Sequence, residues 1–240
     1  MILFLVVLLL GANEAEELVG SYFNKYGDIK TLYARIEETV EKRGVPVSYT
    51  GEVWLAFPDT IRLLFRSPYK QDVLILPDSL FWYIPSERKV WVMGRGEEDV
   101  PPLPVGKDVK EQLAMEGVSM ELAKSRFPWR GDRVVRVLKG DVPVMELVFD
   151  KKDLLRRVRI LSQGGEVVLE RAFSQYKKVK GLDVPLPHLV EAKVFYPGGG
   201  ASVTVVALYQ DVEINVSLPK GIFSLDVPEG VKRVPFVGGE

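Results

Sequence analysis

The sequence contains no cysteine. That absence excludes disulfides, thiolate nucleophiles, cysteine-ligated zinc and a lipidated N-terminal cysteine. It leaves the compartment open, because an exported chain can fold without disulfides. Histidine occurs once, as His188 after Pro187. A catalytic triad or a histidine-rich metal site would need partners that are missing, so His188 reads as an ordinary strand-end residue. A surplus of one charge sign is also lacking. With 32 Lys+Arg against 33 Asp+Glu, no bulk field draws the chain to nucleic acid or to an anionic bilayer. None of the patterns G-x-S-x-G, G-x-x-x-x-G-K-[ST] or G-x-G-x-x-G occurs in a strand–helix context, so neither a nucleotide nor another cofactor is expected. Gly198-Gly199-Gly200 reads as a hairpin turn, and Glu97-Glu98-Asp99 as solvated acids in a Gly/Pro loop.

What is present begins with one apolar run, Ile2 to Leu10. A membrane-spanning helix needs about 20 residues; this run has the length of a signal-peptide core. Gly11 and Ala12, with Ala15 as a second candidate, supply small residues for cleavage, and Asn13, Glu14, Glu16 and Glu17 end the run abruptly. No Lys or Arg precedes it. A signal peptide over residues 1–15 is expected, followed by one domain over 16–240. The alternative is a buried N-terminal strand or helix.

Residues 15–26 carry Leu18, Val19, Tyr22, Phe23 and Tyr26 at helical spacing, with the glutamates at the end that favours negative charge. The period then changes to two. Leu32, Ala34, Ile36 and Val40 alternate with polar neighbours, and Lys42 to Ser48, with Gly44 and Pro46, reads as a turn. Val53, Leu55 and Phe57, then Ile61, Leu63 and Phe65, alternate on either side of Pro58-Asp59. Short strands follow near 73–76, 80–84 and 89–93. Pairing through Pro77-Asp78 puts Val73, Ile75, Leu80 and Trp82 on one face, and pairing through Ser86-Glu87 adds Trp91 and Met93. Gly94 to Gly106 reads as a loop. Asp108 with Glu111 makes a capping box for a helix carrying Val109, Leu113 and Met115, and Ser119 caps a second short helix with Met120 and Leu122. Strands resume near 133–139, 142–149, 154–162, 166–178, 188–196 and 202–217, with a last short one at Phe223 to Val227. Within 202–217 the apolar phase switches between Tyr209 and Val212, so a β-bulge is expected near Gln210-Asp211.

The reading is mainly β (α+β), with about ten or eleven antiparallel strands in a strongly curved sheet and helices covering its concave face.

Three stretches resemble the LolA-type periplasmic carriers of outer-membrane lipoproteins, the lipoprotein-sorting family. They are Gly51-Glu52-Val53-Trp54-Leu55-Ala56-Phe57-Pro58-Asp59-Thr60-Ile61-Arg62; Leu80-Phe81-Trp82-Tyr83-Ile84-Pro85 after Pro68; and Phe223 through Pro228, Gly230 and Val231. The resemblance covers most of residues 15–231. It implies an incomplete β-barrel with a helical lid insertion around 107–126 and an apolar cavity for acyl chains. It also implies a periplasmic, soluble, monomeric, non-enzymatic carrier taking cargo from an inner-membrane lipoprotein-releasing transporter to an outer-membrane acceptor. The implied cavity lining is Val53, Leu55, Phe57, Ile61, Leu63, Phe65, Val73, Ile75, Leu80, Trp82, Trp91 and Met93. The implied lid is Leu18, Tyr22, Leu113, Met115 and Met120. Where the best-known members place an arginine that latches the lid, this sequence has Phe57.

Arg156, Arg157 and Arg159 form a basic cluster that reads as a solvated outer face, with a docking patch as the other reading. Trp54, Trp82, Trp91 and Trp129 fit an ordinary β core. Two further functions stay open: a sensory or interaction module on the same fold that binds lipid or a membrane-protein partner without delivering cargo, and a hydrolase whose acids converge only in space.

Overall fold

The computed structural model describes residues 14–94, 118–124, 131–196 and 201–235. A helix, α1, spans 14–24. Its apolar residues Leu18, Val19, Tyr22 and Phe23 are buried, as is Tyr26 in the turn that follows, so the expected helical face is the packed one.

The strands are β1 (Thr31–Lys42), β2 (Val45–Ala56), β3 (Thr60–Ser67), β4 (Gln71–Ile75), β5 (Ser79–Ile84), β6 (Lys89–Gly94), β7 (Val118–Ala123), β8 (Arg133–Lys139), β9 (Val142–Phe149), β10 (Leu155–Leu161), β11 (Val167–Lys177), β12 (Leu186–Phe195), β13 (Ala201–Ile214) and β14 (Lys232–Pro235). They form one 14-stranded sheet in the order β14-β6-β5-β4-β3-β2-β1-β13-β12-β11-β10-β9-β8-β7. Two meanders are joined where β13 returns to pair with β1. The sheet is not closed: β14 and β7 are its edges.

Several expectations are corrected. Among the described residues the sheet has 14 strands rather than ten or eleven, and β14 pairs with β6 in parallel. The last strand is Lys232–Pro235, not Phe223 to Val227. The turn expected over Lys42 to Ser48 shrinks to Arg43-Gly44, both with positive φ (54° and 78°), as a two-residue hairpin requires. Pro46 therefore lies inside β2, opposite Glu41. The second short helix is instead strand β7, whose Val118, Met120 and Leu122 alternate and pair with β8. Among the described residues α1 is the one α-helix, so several helices covering the concave face are not found. The capping box at Asp108, Trp129, Glu97-Glu98-Asp99 and Gly198-Gly199-Gly200 lie outside the described residues.

The expected bulge is present. Tyr33 pairs with Glu213 and Arg35 with Gln210, so β13 carries one residue more than β1 between these rungs, and Asp211 takes φ 48° there. The slip lets Ala207 and Tyr209 on one side of it, and Val212 and Ile214 on the other, all pack on the same core.

That core joins α1 to strands far apart in the sheet. Val53 and Ile61 (β2, β3) and Val135 and Leu147 (β8, β9) belong to one cluster with Tyr22 and Tyr26. The rings of Tyr22 and Phe149 meet edge-on at 5.5 Å. Nine strands span roughly 38 Å if flat at 4.8 Å per spacing, several times the width of one helix, so the sheet curls around α1.

Over β8 to β11 the outer face is charged. Cross-strand neighbours Arg136, Glu146, Arg159 and Glu170 form a ladder of ion pairs, including Arg159 Nε–Glu170 Oε2 at 2.7 Å. Arg156 pairs with Asp150 at 2.6 Å, and Arg157 lies 3.7 Å from Glu170. The basic cluster is thus matched by acids on the solvated face. At the other end of the sheet, Arg62 pairs with Asp72 and donates to the carbonyls of Ile222 and Ser224. These bonds hold the segment that leads to β14 against the outside of β3 and β4.

Candidate functional site: the inner face of the sheet

Register assembles the inner face from rows of directly opposed side chains. One row runs Leu32, Leu55, Ile61, Ile75, Leu80, Met93 across β1 to β6. The next runs Ala34, Val53, Leu63, Val73, Trp82, Trp91 across the same strands. Two successive strand phases and two hairpins therefore bring all the sequence-predicted lining residues of β2 to β6 to one face, as alternation requires. Phe57, just past β2, is half-buried against the same core.

Coverage of this face is uneven. Val53, Leu55, Ile61 and Phe65 are buried in the cluster with α1. Leu63, Val73, Ile75, Leu80, Trp82, Trp91 and Met93 are half-buried. Trp82 Nε1 donates to Gln71 Oε1 at 2.8 Å, which fixes the indole within the apolar rows. Of the expected lid, Leu18 and Tyr22 lie in α1 and are buried, and Met120 sits on β7 opposite Val137 rather than on a helix. Leu113 and Met115 lie outside the described residues.

The second meander extends the face with residues that sequence reasoning did not single out. Val205, Ala192, Arg171, Val158, Leu147 and Val135 follow one another across β13 to β8, and Val203, Val194, Leu169, Ile160, Met145 and Val137 form the adjacent row. The signal was there as strand alternation, but pairing β13 with β1 joins the two halves, and that is a long-range fact.

Two charged side chains share this face. Glu38 on β1 pairs with Ala207, and Arg171 on β11 pairs with Ala192 and Val158. Burial raises the Glu38 carboxyl above its usual range and lowers the Arg171 guanidinium. The Tyr209 hydroxyl between them is pushed far up by burial, with the Glu38 charge adding to the shift. His188 is buried with Nδ1 donating to the Leu186 carbonyl at 3.1 Å, and burial holds its pKa below the ordinary value. Among the described residues no group of three or more His, Cys, Asp or Glu converges to hold a metal ion. No helix among them is long and apolar enough to cross a membrane.

No protein-family model matches the sequence, and no curated protein is significantly similar to it. Solved structures do share its architecture. A DUF1329 family protein from Desulfovibrio piger superposes with a TM-score of 0.63 at 12% identity, over 89% of this chain and 97% of that one. An outer membrane lipoprotein-sorting protein domain from Vibrio parahaemolyticus gives 0.62 at 12% identity, over 89% and 97%. A LolA superfamily protein from Nitrosomonas europaea gives 0.56 at 11% identity, over 86% and 97%. With an open, curled, mainly antiparallel sheet wrapped around α1, the one helix among the described residues, the fold of this chain is LolA-like.

Proposed function

We propose that this protein is an exported, periplasmic carrier, not an enzyme, that shields acyl chains of lipids or lipoproteins against the inner face of its sheet. One observation carries the reading: the rows from Leu32 to Met93 and from Ala34 to Trp91 are apolar throughout, yet toward β5 and β6 their side chains stay half-buried. A sheet that only needed a core would not extend large apolar side chains this far past α1, the one helix among the described residues. The ligand site proposed is Val53, Leu55, Phe57, Ile61, Leu63, Phe65, Val73, Ile75, Leu80, Trp82, Trp91 and Met93, with α1 as the part that moves.

Each methylene transferred from water to this face contributes about 0.8 kcal/mol, so one sixteen-carbon chain gains on the order of 10 kcal/mol. Binding that strong is not reversed without a competing acceptor, so a membrane transporter is the proposed donor and an outer-membrane receptor the proposed acceptor. Met93, Met120 and Met145 add side chains that repack easily around chains of different length. The comparison with lipoprotein-sorting and LolA superfamily structures supports the same reading through the fold.

Native mass spectrometry of protein purified from an exporting host tests it. Co-purifying diacylated lipid or lipoprotein is the expected result. Protein that emerges empty and also fails to take up a fluorescent fatty acid would sink the proposal.

A further inference from the structure

Beyond the two apolar rows of β1 to β6 the inner face changes character. The third row runs Ile36, Gly51, Phe65, Gln71 across β1 to β4, and the fourth opens with Glu38 opposite Tyr49. Polar and aromatic groups therefore collect at the end of the sheet away from the β2–β3 turn. Tyr49 links them. Its ring lies 5.4 Å from that of Phe65 and 5.8 Å, edge-on, from that of Tyr69, and its hydroxyl is 3.0 Å from the Tyr69 hydroxyl. Gln71 is buried; it accepts from Trp82 Nε1 and also acts on the Tyr49 hydroxyl. Tyr69 is exposed, and Tyr49 and Glu38 are half-buried, so the cluster is ordered and still reachable.

Glu38 has different surroundings from the glutamates of the outer face, where Glu52 meets Arg66, and Glu146 and Glu170 meet Arg159. Its cross-strand neighbours are Tyr49 and Ala207, and its charge acts on Tyr209, which stands opposite Ile36. Arg171, the other charge on this face, belongs to β11, three strand spacings away, roughly 14 Å along the sheet. A carboxylate set beside aromatic rings suits an ammonium group. The carboxylate accepts charge-assisted N–H bonds, and ring faces within about 6 Å attract the cation. Burial raises the Glu38 carboxyl, the direction that a facing cation reverses. Lys70, exposed next to Tyr69, adds a positive charge at the margin, and the opposite charges together suit a zwitterion. The cluster also continues the apolar rows. Phe65 pairs with Gln71, and the next same-face pairs along these two strands are Leu63 with Val73 and Ile61 with Ile75.

We infer that Glu38, Tyr49 and Tyr69 form a subsite for the ammonium of an amine-bearing phospholipid head group, whose acyl chains lie over the apolar rows of β3 to β6. The inference rests on the lipid-binding reading above and adds the head-group chemistry of the cargo. It makes the inner face selective among lipids that carry the same chains.

Fluorescence titration of the full exported protein with acyl-labelled phosphatidylethanolamine, and with the same lipid acetylated on its nitrogen, tests the subsite. The two probes share their tails and phosphate and differ in the ammonium. The wild type is expected to favour the free amine by about tenfold or more. Glu38→Gln is expected to remove that preference and leave binding of the acetylated lipid unchanged, while Glu38→Asp keeps part of it. Tyr69→Leu, at an exposed position, is expected to narrow the preference, and it keeps the test open should Glu38→Gln fail to fold. No preference in the wild type, or one that survives undiminished in these variants, overturns the subsite while leaving lipid binding intact. Dependence on Glu38 seen only with a diacylated lipopeptide that carries a lysine overturns the phospholipid and gives the ammonium to a protein cargo. Uptake of no probe at all overturns both the subsite and the lipid-binding reading.

Discussion

Leu63 of β3 and Val73 of β4 face each other directly on the inner side of the sheet, between Val53 on one flank and Trp82 on the other. Leu63 is half-buried, so a polar replacement there meets the proposed ligand surface before it meets the centre of the core. Leu63→Glu is expected to abolish fluorescent fatty-acid uptake while leaving the β signature in circular dichroism. Uptake at the wild-type level would remove β3 from the binding face.

Gly51 is needed for space, not for flexibility. A Cβ built at this position would come within 2.3 Å of the Leu64 carbonyl oxygen, at the rung where β3 shifts register by bulging between Ser67 and Phe65. Backbone cannot rotate away as a side chain can. Gly51→Ala should therefore cost about 1–3 kcal/mol, the usual range for overpacking, read as a lowered urea midpoint with an unchanged slope.

Tyrosines of and beside α1 should respond oppositely to loss of their hydroxyls. Tyr26 Oη donates to the Pro185 carbonyl at 3.0 Å, and burial lifts its pKa to about 12. Tyr26→Phe should cost about 1 kcal/mol. The Tyr22 hydroxyl is buried beside Tyr26 and Tyr176 without a hydrogen-bond partner of normal geometry. Removing a buried unsatisfied donor costs little or helps, so Tyr22→Phe should leave stability unchanged or raise it. Thermal unfolding of the two variants side by side checks the contrast.

His188 should make stability depend on pH in a defined window. Burial first, and Lys177 second, depress its folded pKa below the usual 6.5, against the opposing hydrogen bond to Leu186. Just below pH 6.5 the unfolded chain then binds more protons than the folded one, so stability rises with pH through this window and falls as pH drops below 6.5. Because it is the only histidine, its imidazole resonance is assigned without ambiguity and should titrate below 6.5. The difference in urea midpoint between wild type and His188→Gln, followed from pH 7.5 to 5, should shrink as pH falls.

Ala15 is fully buried in the core that α1 makes with the sheet. A chain processed after it would lose that contact. If the N-terminal segment is a signal peptide, cleavage after Ala12 is expected, and intact mass of protein recovered from an exporting host should show a mature chain starting at Asn13.

Alternation made much of this legible. The β2–β3 and β4–β6 faces could be read because apolar residues occupy every second position and the turns between them are short. The β13 bulge could be read because Tyr209 and Val212 cannot otherwise face the same way. Strand β7 was misread because Met120, Glu121, Leu122 and Ala123 have high helix propensity after a capping serine; Val118, Met120 and Leu122 nonetheless alternate, and pairing with β8 decided the outcome. Pro46 was read as a turn because its strand context lies in Arg43-Gly44, one hairpin earlier.

The position of Pro46 has a further consequence. Strand β3 pairs with β2 only from Thr50 onward, so Val45 to Tyr49 forms a bare border beside the open part of the sheet, with Val45 exposed. In a two-residue hairpin Lys42 and Val45 exchange the hydrogen bonds that close the turn, so position 46 turns its backbone nitrogen away from β1. In this chain that nitrogen bears no hydrogen. A stray strand approaching the border would find its first rung missing, which discourages edge-to-edge pairing of one copy with another along this border.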